Sequence, residues 1–286
     1  MNAEPLVSIL IPTYNSGVML QPLLESIRQQ TYKRCEIVVV DNNSKDDTVE
    51  IAKRYTDKVY TKGPERSAQR NHAAAMSSGD YLIVLDSDMA LTPDVVAEVV
   101  QVFTNDPKRL ALVIPEESYG DGFWAACKKL ERSFYVGVPW MEAARAFRRS
   151  AFFEQDGYDE ENTGTEDYDL PHRIENVHGP SCVGRINSFV LHNEGRLVLM
   201  RSCKKKYYYA RALDVYVRKA ANKSHFTKQA SPLARFGLYF RSPIRLFSNP
   251  IIGFGMLFMK ICEMSSGMAG YLMRRRLTNV RKTIYK

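Results

Sequence analysis

No CxxC pair occurs among the five cysteines of this 286-residue chain, Cys35, Cys127, Cys182, Cys203 and Cys262. A zinc site or dithiol redox motif therefore has no support, and an odd, scattered set suits a reducing compartment. No leader-like start is visible either. Met1 to Pro5 carries no basic residue, and the apolar run Leu6 to Ile11 is strand-length, too short for a signal-peptide core. The expected location is cytoplasmic or cytosol-facing. Low-complexity runs and internal repeats are missing, and 45% of residues are apolar, so a disordered chain is excluded and a packed core is expected. Acids nearly vanish from the last part. Residues 201–286 hold 19 Lys and Arg against Asp214 and Glu263 alone, a net of +17, whereas residues 1–200 hold 21 against 30, a net of −9. A basic tail on an acidic body calls for a polyanionic partner, either a membrane surface or a nucleic acid.

What is present in the first two hundred residues is an alternation of short apolar runs and helix-like stretches. Strands are expected at Leu6–Pro12, Glu36–Asp41, Lys58–Thr61, Tyr81–Asp86 and Leu110–Ile114. Leu20, Leu23, Leu24 and Ile27 recur at helical spacing within residues 18–30. Further helices are expected from an Asp46 cap to about Tyr55, from Arg66 to Ser77, and from Pro93 at a first helical position to about Phe103. This alternation predicts an α/β fold with a mostly parallel sheet covered on both faces. Beyond Gly120 the pattern changes. Residues 123–135 read as an aromatic-rich helix, 154–169 as an acidic loop and 183–192 as one or two strands. After Arg201 the chain turns helical and basic, with a break at Ser231-Pro232.

In parallel sheets ligands sit beyond the carboxyl ends of the strands, and two predicted strands end there on acids, Asp41 and Asp86. The segment Leu85-Asp86-Ser87-Asp88 delivers two carboxylates at i and i+2. Hard oxygens of this kind suit Mg²⁺ or Mn²⁺, ions that also bridge phosphate oxygens and act as Lewis acids on a departing diphosphate. An isolated Asp-x-Asp is more often a solvated turn; its position after a strand is what favours the site.

Further segments follow in a fixed order: Ser8-Ile-Leu-Ile-Pro-Thr-Tyr-Asn15, Val38-Val-Val-Asp-Asn-Asn-Ser44, Arg70-Asn71, Gly79-Asp80, and Thr165-Glu166-Asp167 about eighty residues after Asp86. With them the sequence, over roughly residues 6–195, closely resembles the family 2 glycosyltransferases of the Rossmann-like nucleotide-diphospho-sugar fold called GT-A. The resemblance implies an inverting, metal-dependent transfer of a hexosyl or N-acetylhexosaminyl group from a nucleotide-sugar, most often a UDP-sugar. Asp41 would take a hydrogen bond from the base. Pro12, Thr13, Tyr14, Asn15 and Asn43 would surround the nucleoside, and Arg70 would face base or phosphates. Arg66, in Gly63-Pro-Glu-Arg66, would touch the diphosphate. Asp86 would contact the ribose or a metal-bound water beside Ser87, and Asp88 would ligate the metal. His192 would add a metal ligand or a diphosphate contact. Asp167 would be the general base that deprotonates an acceptor hydroxyl, with Glu166 orienting the acceptor or the base. Acids at a helix start also complement the macrodipole, so these two have a structural reading as well.

The tail opens on Lys204-Lys-Lys-Tyr-Tyr-Tyr209, continues through Arg211, Arg218, Lys219, Arg235, Arg241 and Arg245, and closes on Arg274-Arg-Arg276. Between them residues 250–273 are apolar but interrupted by Lys260, Glu263 and four glycines. A spanning helix wants about twenty uninterrupted apolar residues, so an interfacial or re-entrant helix against anionic lipid fits better; a helical subdomain packed on the core is the alternative. The expected organisation is a catalytic part over 1–200 and a helical, basic attachment over 201–286. The expected acceptor is a glycan or a polyprenyl-phosphate-linked chain in polysaccharide or glycoconjugate synthesis. Three other readings compete: a nucleotidyltransferase, whose usual Gly-rich, basic phosphate loop after the first strand is missing from Pro12-Thr-Tyr-Asn-Ser-Gly17; an inactive GT-A-like membrane scaffold; and a basic nucleic-acid-binding protein. No recognisable DNA or RNA motif supports the last.

Overall fold

The computed structural model describes residues 4–162, 164–210 and 223–284. Arg211, Arg218 and Lys219 of the basic run lie outside the described residues. The chain forms two compact units. The first comprises Met1–Glu117, Met141–Glu160 and Glu166–Asn193; the second comprises Ser118–Trp140, Glu161–Thr165 and Glu194–Lys286.

The first unit is built on a seven-stranded sheet. Its strands are β1 (Val7–Thr13), β2 (Cys35–Asp41), β3 (Val59–Thr61), β4 (Tyr81–Val84), β6 (Ala111–Val113), β8 (Ala144–Arg148) and β9 (Val183–Arg185), in the order β3-β2-β1-β4-β8-β6-β9. β5 (Met89–Leu91), β7 (Glu116–Asp121) and β10 (Val190–Arg196) form a smaller sheet in the order β5-β10-β7. β1, β2, β3 and β4 run parallel, while β8 is antiparallel to both β4 and β6. The buried runs of β1 and β2 are apolar on both faces, as a doubly covered parallel sheet requires. Alternation sends Val7, Ile9 and Ile11 to one core with Leu20, Leu23, Leu24 and Ile83, and Leu10 to a second core with Val38, Leu82 and Phe147.

The helices of this unit are α1 (Gly17–Arg28), α2 (Thr48–Lys53), α3 (Arg66–Met76) and α4 (Val95–Asn105). α5 (Phe123–Ser133) belongs to the second unit, and α6 (Arg149–Glu154) and α7 (Glu166–His178) return to the first. Asp47 rather than Asp46 is the cap residue of α2. Asp46 instead accepts from the backbone N–H groups of Gly17 at 3.0 Å and Thr48 at 3.2 Å, tying the starts of α1 and α2 together. α4 begins at Val95, because Thr92-Pro93-Asp94 turns first and its Pro93 carbonyl is taken by Thr31 N–H at 2.9 Å. The acidic stretch 154–169 is a loop only between α6 and α7. β8 was not legible: five residues reading Ala-Arg-Ala-Phe-Arg are too few for a periodic signal, and their strand form depends on neighbours β4 and β6.

The second unit is helical. α8 (Leu199–Ala210), α9 (Lys223–Ala230), α10 (Pro232–Phe240), α11 (Pro243–Leu246) and α12 (Pro250–Ile284) follow one another. The break at Ser231-Pro232 is an N-cap, with Ser231 Oγ accepting from Ala234 N–H at 3.2 Å and Pro232 at the first helical position. α12 packs on α8 and α5.

Candidate active site

The parallel register sets Thr13 opposite Asp41 at the carboxyl ends of β1 and β2. Thr13 Oγ1 donates to Asp41 Oδ1 at 2.9 Å, and Ser44 donates to the same carboxylate from its backbone N–H at 2.8 Å and its hydroxyl at 2.5 Å. The buried Asp41 thus ties down the turn to Ser44, three residues on, as well as standing at the strand end. The two loops that follow are stitched to each other. Asn15 N–H donates to Ser44 Oγ, Lys45 N–H donates to Asn15 Oδ1, and Ser16 N–H donates to Thr48 Oγ1, all at 2.7–2.8 Å. Asn15 and Asn43 hold positive φ values of 47° and 55°, a conformation that asparagine tolerates better than most residues. Pro12 is buried in β1 and Tyr14 is exposed. Ser87 Oγ lies 2.9 Å from Ser16 Oγ, which joins the Asp86–Asp88 turn to the same loops. Gln69 of α3 fastens the strand ends from below, donating to the carbonyls of Thr13 at 2.9 Å and Val40 at 2.7 Å.

Next to these loops lies a charged network gathered from five distant segments. Arg70 of α3 is wholly buried. It donates from Nη2 to Asp86 Oδ1 at 2.6 Å, and from Nη1 to Asp167 Oδ1 at 2.7 Å and Glu166 Oε1 at 3.3 Å. Its guanidinium is therefore directed at carboxylates rather than at an open phosphate or base position. Arg66, one turn earlier, pairs with Glu166 at 3.0 Å. Arg145 of β8 binds Glu116 Oε1 at 2.6 Å and approaches Asp86 Oδ2 at 3.8 Å. Glu166 and Asp167 occupy the first turn of α7, so both the macrodipole and the arginines favour their charge. Burial opposes ionisation of Asp86, yet Arg70, Arg145 and Arg66 together hold it far below the usual carboxylate range. Glu166 goes the other way: burial, then the Asp167 charge, raise its pKa against the pull of Arg70 and Arg66. The paired acids thus differ in environment, and the more exposed Asp167 is the one facing outward from the network.

Asp88 has a different setting. Its Oδ1 is buried with no hydrogen-bond partner among the described residues, while Oδ2 lies 3.3 Å from His192 Nε2. The antiparallel pairing of β5 with β10 sets His192 opposite Met89, one residue past Asp88. His192 Nδ1 stands 3.6 Å from Glu116 Oε2, beyond hydrogen-bond distance. An orphaned carboxylate oxygen beside an imidazole fits a divalent cation, with Asp88 and His192 as the protein donors. Asp86, whose oxygens face arginines, is not disposed like them. No cluster of three or more His, Cys, Asp or Glu side chains able to hold a metal occurs among the described residues, so other donors would have to complete the coordination.

Arg145, Glu116 and Gln69 were not singled out by sequence reasoning. A lone arginine in the apolar strand Ala-Arg-Ala-Phe is a weak signal in hindsight, because a buried charge requires a partner. Glu116 and Gln69 stand in no recognisable motif.

The family model of glycosyl transferase family 2 matches residues 8–169, more than half of the chain. Among curated proteins, a Campylobacter jejuni GalNAc(5)-diNAcBac-PP-undecaprenol β-1,3-glucosyltransferase is 30% identical over 107 residues, 34% of this chain and 34% of the relative. The first curated relatives are matched over only 22–45% of their own lengths. Among solved structures, the Pyrobaculum calidifontis mannosyltransferase PcManGT in complex with GDP-Man and Mn²⁺ aligns with a TM-score of 0.58 and 17% identity, covering 99% of this chain and 81% of that one. S. aureus TarS in complex with UDP-GlcNAc aligns at 0.54 and 18%, covering 94% and 91%. Both likenesses bear on the fold, which is that of the GT-A glycosyltransferases. With the strand-end loops and carboxylates in the order found here, the chain belongs to glycosyl transferase family 2.

Proposed function

We propose that this enzyme transfers a hexosyl or N-acetylhexosaminyl group from a UDP-sugar, with inversion, to a glycan or polyprenyl-phosphate-linked acceptor, on the cytoplasmic face of a membrane. The observation that carries this reading is the convergence of Asp167 and Glu166 with Asp86 and Asp88 at one edge of the sheet, beside the loops after β1 and β2. Those loops, with Asp41, Thr13, Asn15 and Asn43, would receive the nucleoside. Asp88 and His192 would hold Mg²⁺ or Mn²⁺, which when bound supplies the Lewis acid for the leaving diphosphate. Asp167, held by one Arg70 nitrogen, keeps its second oxygen available to take the proton of the acceptor hydroxyl. Attack from the face opposite the diphosphate then inverts the anomeric carbon in a single displacement. Glu166 and Arg70 position that carboxylate. Nucleotide-sugar donors bound to TarS and PcManGT, and Mn²⁺ in the latter, support the donor and metal assignments. The glycosyltransferase of Campylobacter jejuni, which works on a PP-undecaprenol-linked glycan, supports the acceptor class and with it a membrane location. The second unit, which includes residues 201–286 with their excess of basic residues, would make the attachment.

A thermal-shift panel of nucleotide-sugars with and without Mn²⁺ tests the reading. A ligand at a hundred times its dissociation constant adds about 2.7 kcal/mol of stability. One UDP-sugar should give a metal-dependent upward shift that Asp88→Ala abolishes. A folded protein that shifts with no nucleotide at all would point to the scaffold reading instead.

A further inference from the structure

Helix α12 wears its polarity inside out. Its two acidic or basic residues within 250–273, Lys260 and Glu263, are turned inward and almost wholly buried. Lys128 Nζ of α5 lies 2.6 Å from Glu131 and 2.9 Å from Glu263, and Lys260 Nζ lies 3.0 Å from Glu263 and also contacts Glu131. This closed quartet, capped by the Ser202 hydroxyl on Glu263, satisfies the charges that the sequence reading took as interruptions of the apolar run. The glycines have the same explanation. A Cβ at Gly255 would stand 2.3 Å from Phe123, and one at Gly270 would stand 2.3 Å from the Tyr207 carbonyl, so they let α12 approach α5 and α8 closely.

The opposite face is apolar and open. Ile251, Phe254, Phe258, Ile261, Met268 and Leu272 are each between 50% and 72% exposed. They recur at steps of three and four, with the exposed Ser265 filling the remaining place, so they form a slowly winding stripe along one side of the helix, drifting by about 20° per seven residues. From 251 to 272 it runs about 32 Å at 1.5 Å per residue. A soluble helix keeps such a stripe against its core and its charges in water; here Lys260 and Glu263 are buried beside Met256 and Met259 while the stripe is open.

We propose that this stripe of α12 is a lipid-contacting edge that lies along an anionic membrane surface, which rests on the membrane location proposed above. By length and composition, Pro250–Met273 could cross a membrane. Only one side of it is free, however, because α5 and α8 cover the other, so the helix meets lipid along its flank as interfacial helices do. The alternative occupant is a second copy of the chain. Pairing two stripes would bring together two segments of net charge +17, which repel, whereas an anionic headgroup layer is complementary to that charge.

The test is co-sedimentation of the full chain with phosphatidylglycerol–phosphatidylcholine vesicles and with pure phosphatidylcholine. The unsubstituted protein should bind the anionic vesicles. Phe254→Glu with Phe258→Glu should weaken binding about tenfold or more while leaving the metal-dependent nucleotide-sugar shift intact; Ile251→Gln with Ile261→Gln provides the same readout should the first pair impair folding. Binding by both variants as strong as that of the unsubstituted chain would overturn the assignment of this face and leave the membrane location standing. An unsubstituted chain that binds no vesicle would remove the location and the stripe's role together. A lipid-free dimer that either pair dissolves would make the stripe a self-association seam and so overturn the proposal.

Discussion

Arg70 is the residue on which the site turns. It is a buried cation forked between Asp86 on one side and Asp167 with Glu166 on the other. Removing one partner of such a network leaves charges uncompensated in a low-dielectric interior, at a cost of about 3–5 kcal/mol. Arg70→Met should therefore lower the urea unfolding free energy by that amount. Arg70→Lys should recover only part of it, because an ammonium cannot fork to two carboxylates. Asp167 gives the complementary prediction. Asp167→Asn keeps its shape and loses its basicity, so the donor-induced thermal shift should persist while turnover falls by about 10²–10⁴-fold. Full turnover in that variant would remove Asp167 as the base. At this scale strand ends and short motifs single out Asp86, Glu166 and Asp167, the carboxylates that the fold gathers on Arg70. Sequence reasoning did not pair Arg70 with them, and it passed over Arg145 and Glu116. Their partners stand at separations from 16 to 97 residues, and no local pattern encodes such pairings.

Among elements, helix termini and close approaches decide the details. The start of α7 lies in an acidic stretch, 154–169, whose Gly157 and Gly164 give it a loop-like composition, and the helix begins at Glu166, as the helix-start reading of Glu166 and Asp167 expects. Acids in a first turn are what a helix N-terminus favours, so the same residues that resemble loop composition are well placed as helix starters. α12 shows the reverse difficulty. Its glycines lower intrinsic helix propensity by about 1 kcal/mol each, but two of them mark where other helices press close. Gly270→Val should destabilise the protein by about 1–3 kcal/mol through overpacking against the Tyr207 backbone, read as a lower denaturant midpoint. A neutral result would mean that α8 and α12 can separate there at no cost.

For the molecule as a whole, the pH dependence of stability should be set by depressed carboxylates in both units. Burial opposes ionisation of Glu131 and Glu263, but Lys128 and Lys260 outweigh it, holding Glu131 well below the ordinary range and Glu263 at about 2. In the unfolded chain both titrate near about 4.3. Between these limits the unfolded state binds more protons, so their stabilisation is present above about pH 5 and is lost as pH falls toward 2. Asp86 adds a term of the same sign. Melting temperature should therefore drop steeply between pH 5 and pH 3, and more shallowly in Glu263→Gln. An unchanged slope in that variant would remove Glu263 as a source.

Legible in the chain alone is the local and the repetitive: apolar runs that must become covered parallel strands, carboxylates that close them, an order of short segments that identifies the family, and a tail whose charge calls for a polyanionic partner. Such features depend on neighbours within a few residues or on composition summed along the chain. Only the tertiary structure decided which strand stands antiparallel between β4 and β6, which arginine neutralises which acid, and which way the charges of α12 face. Each of these depends on contacts between residues far apart in the chain, where a charge is stabilised by whatever partner the fold brings to it.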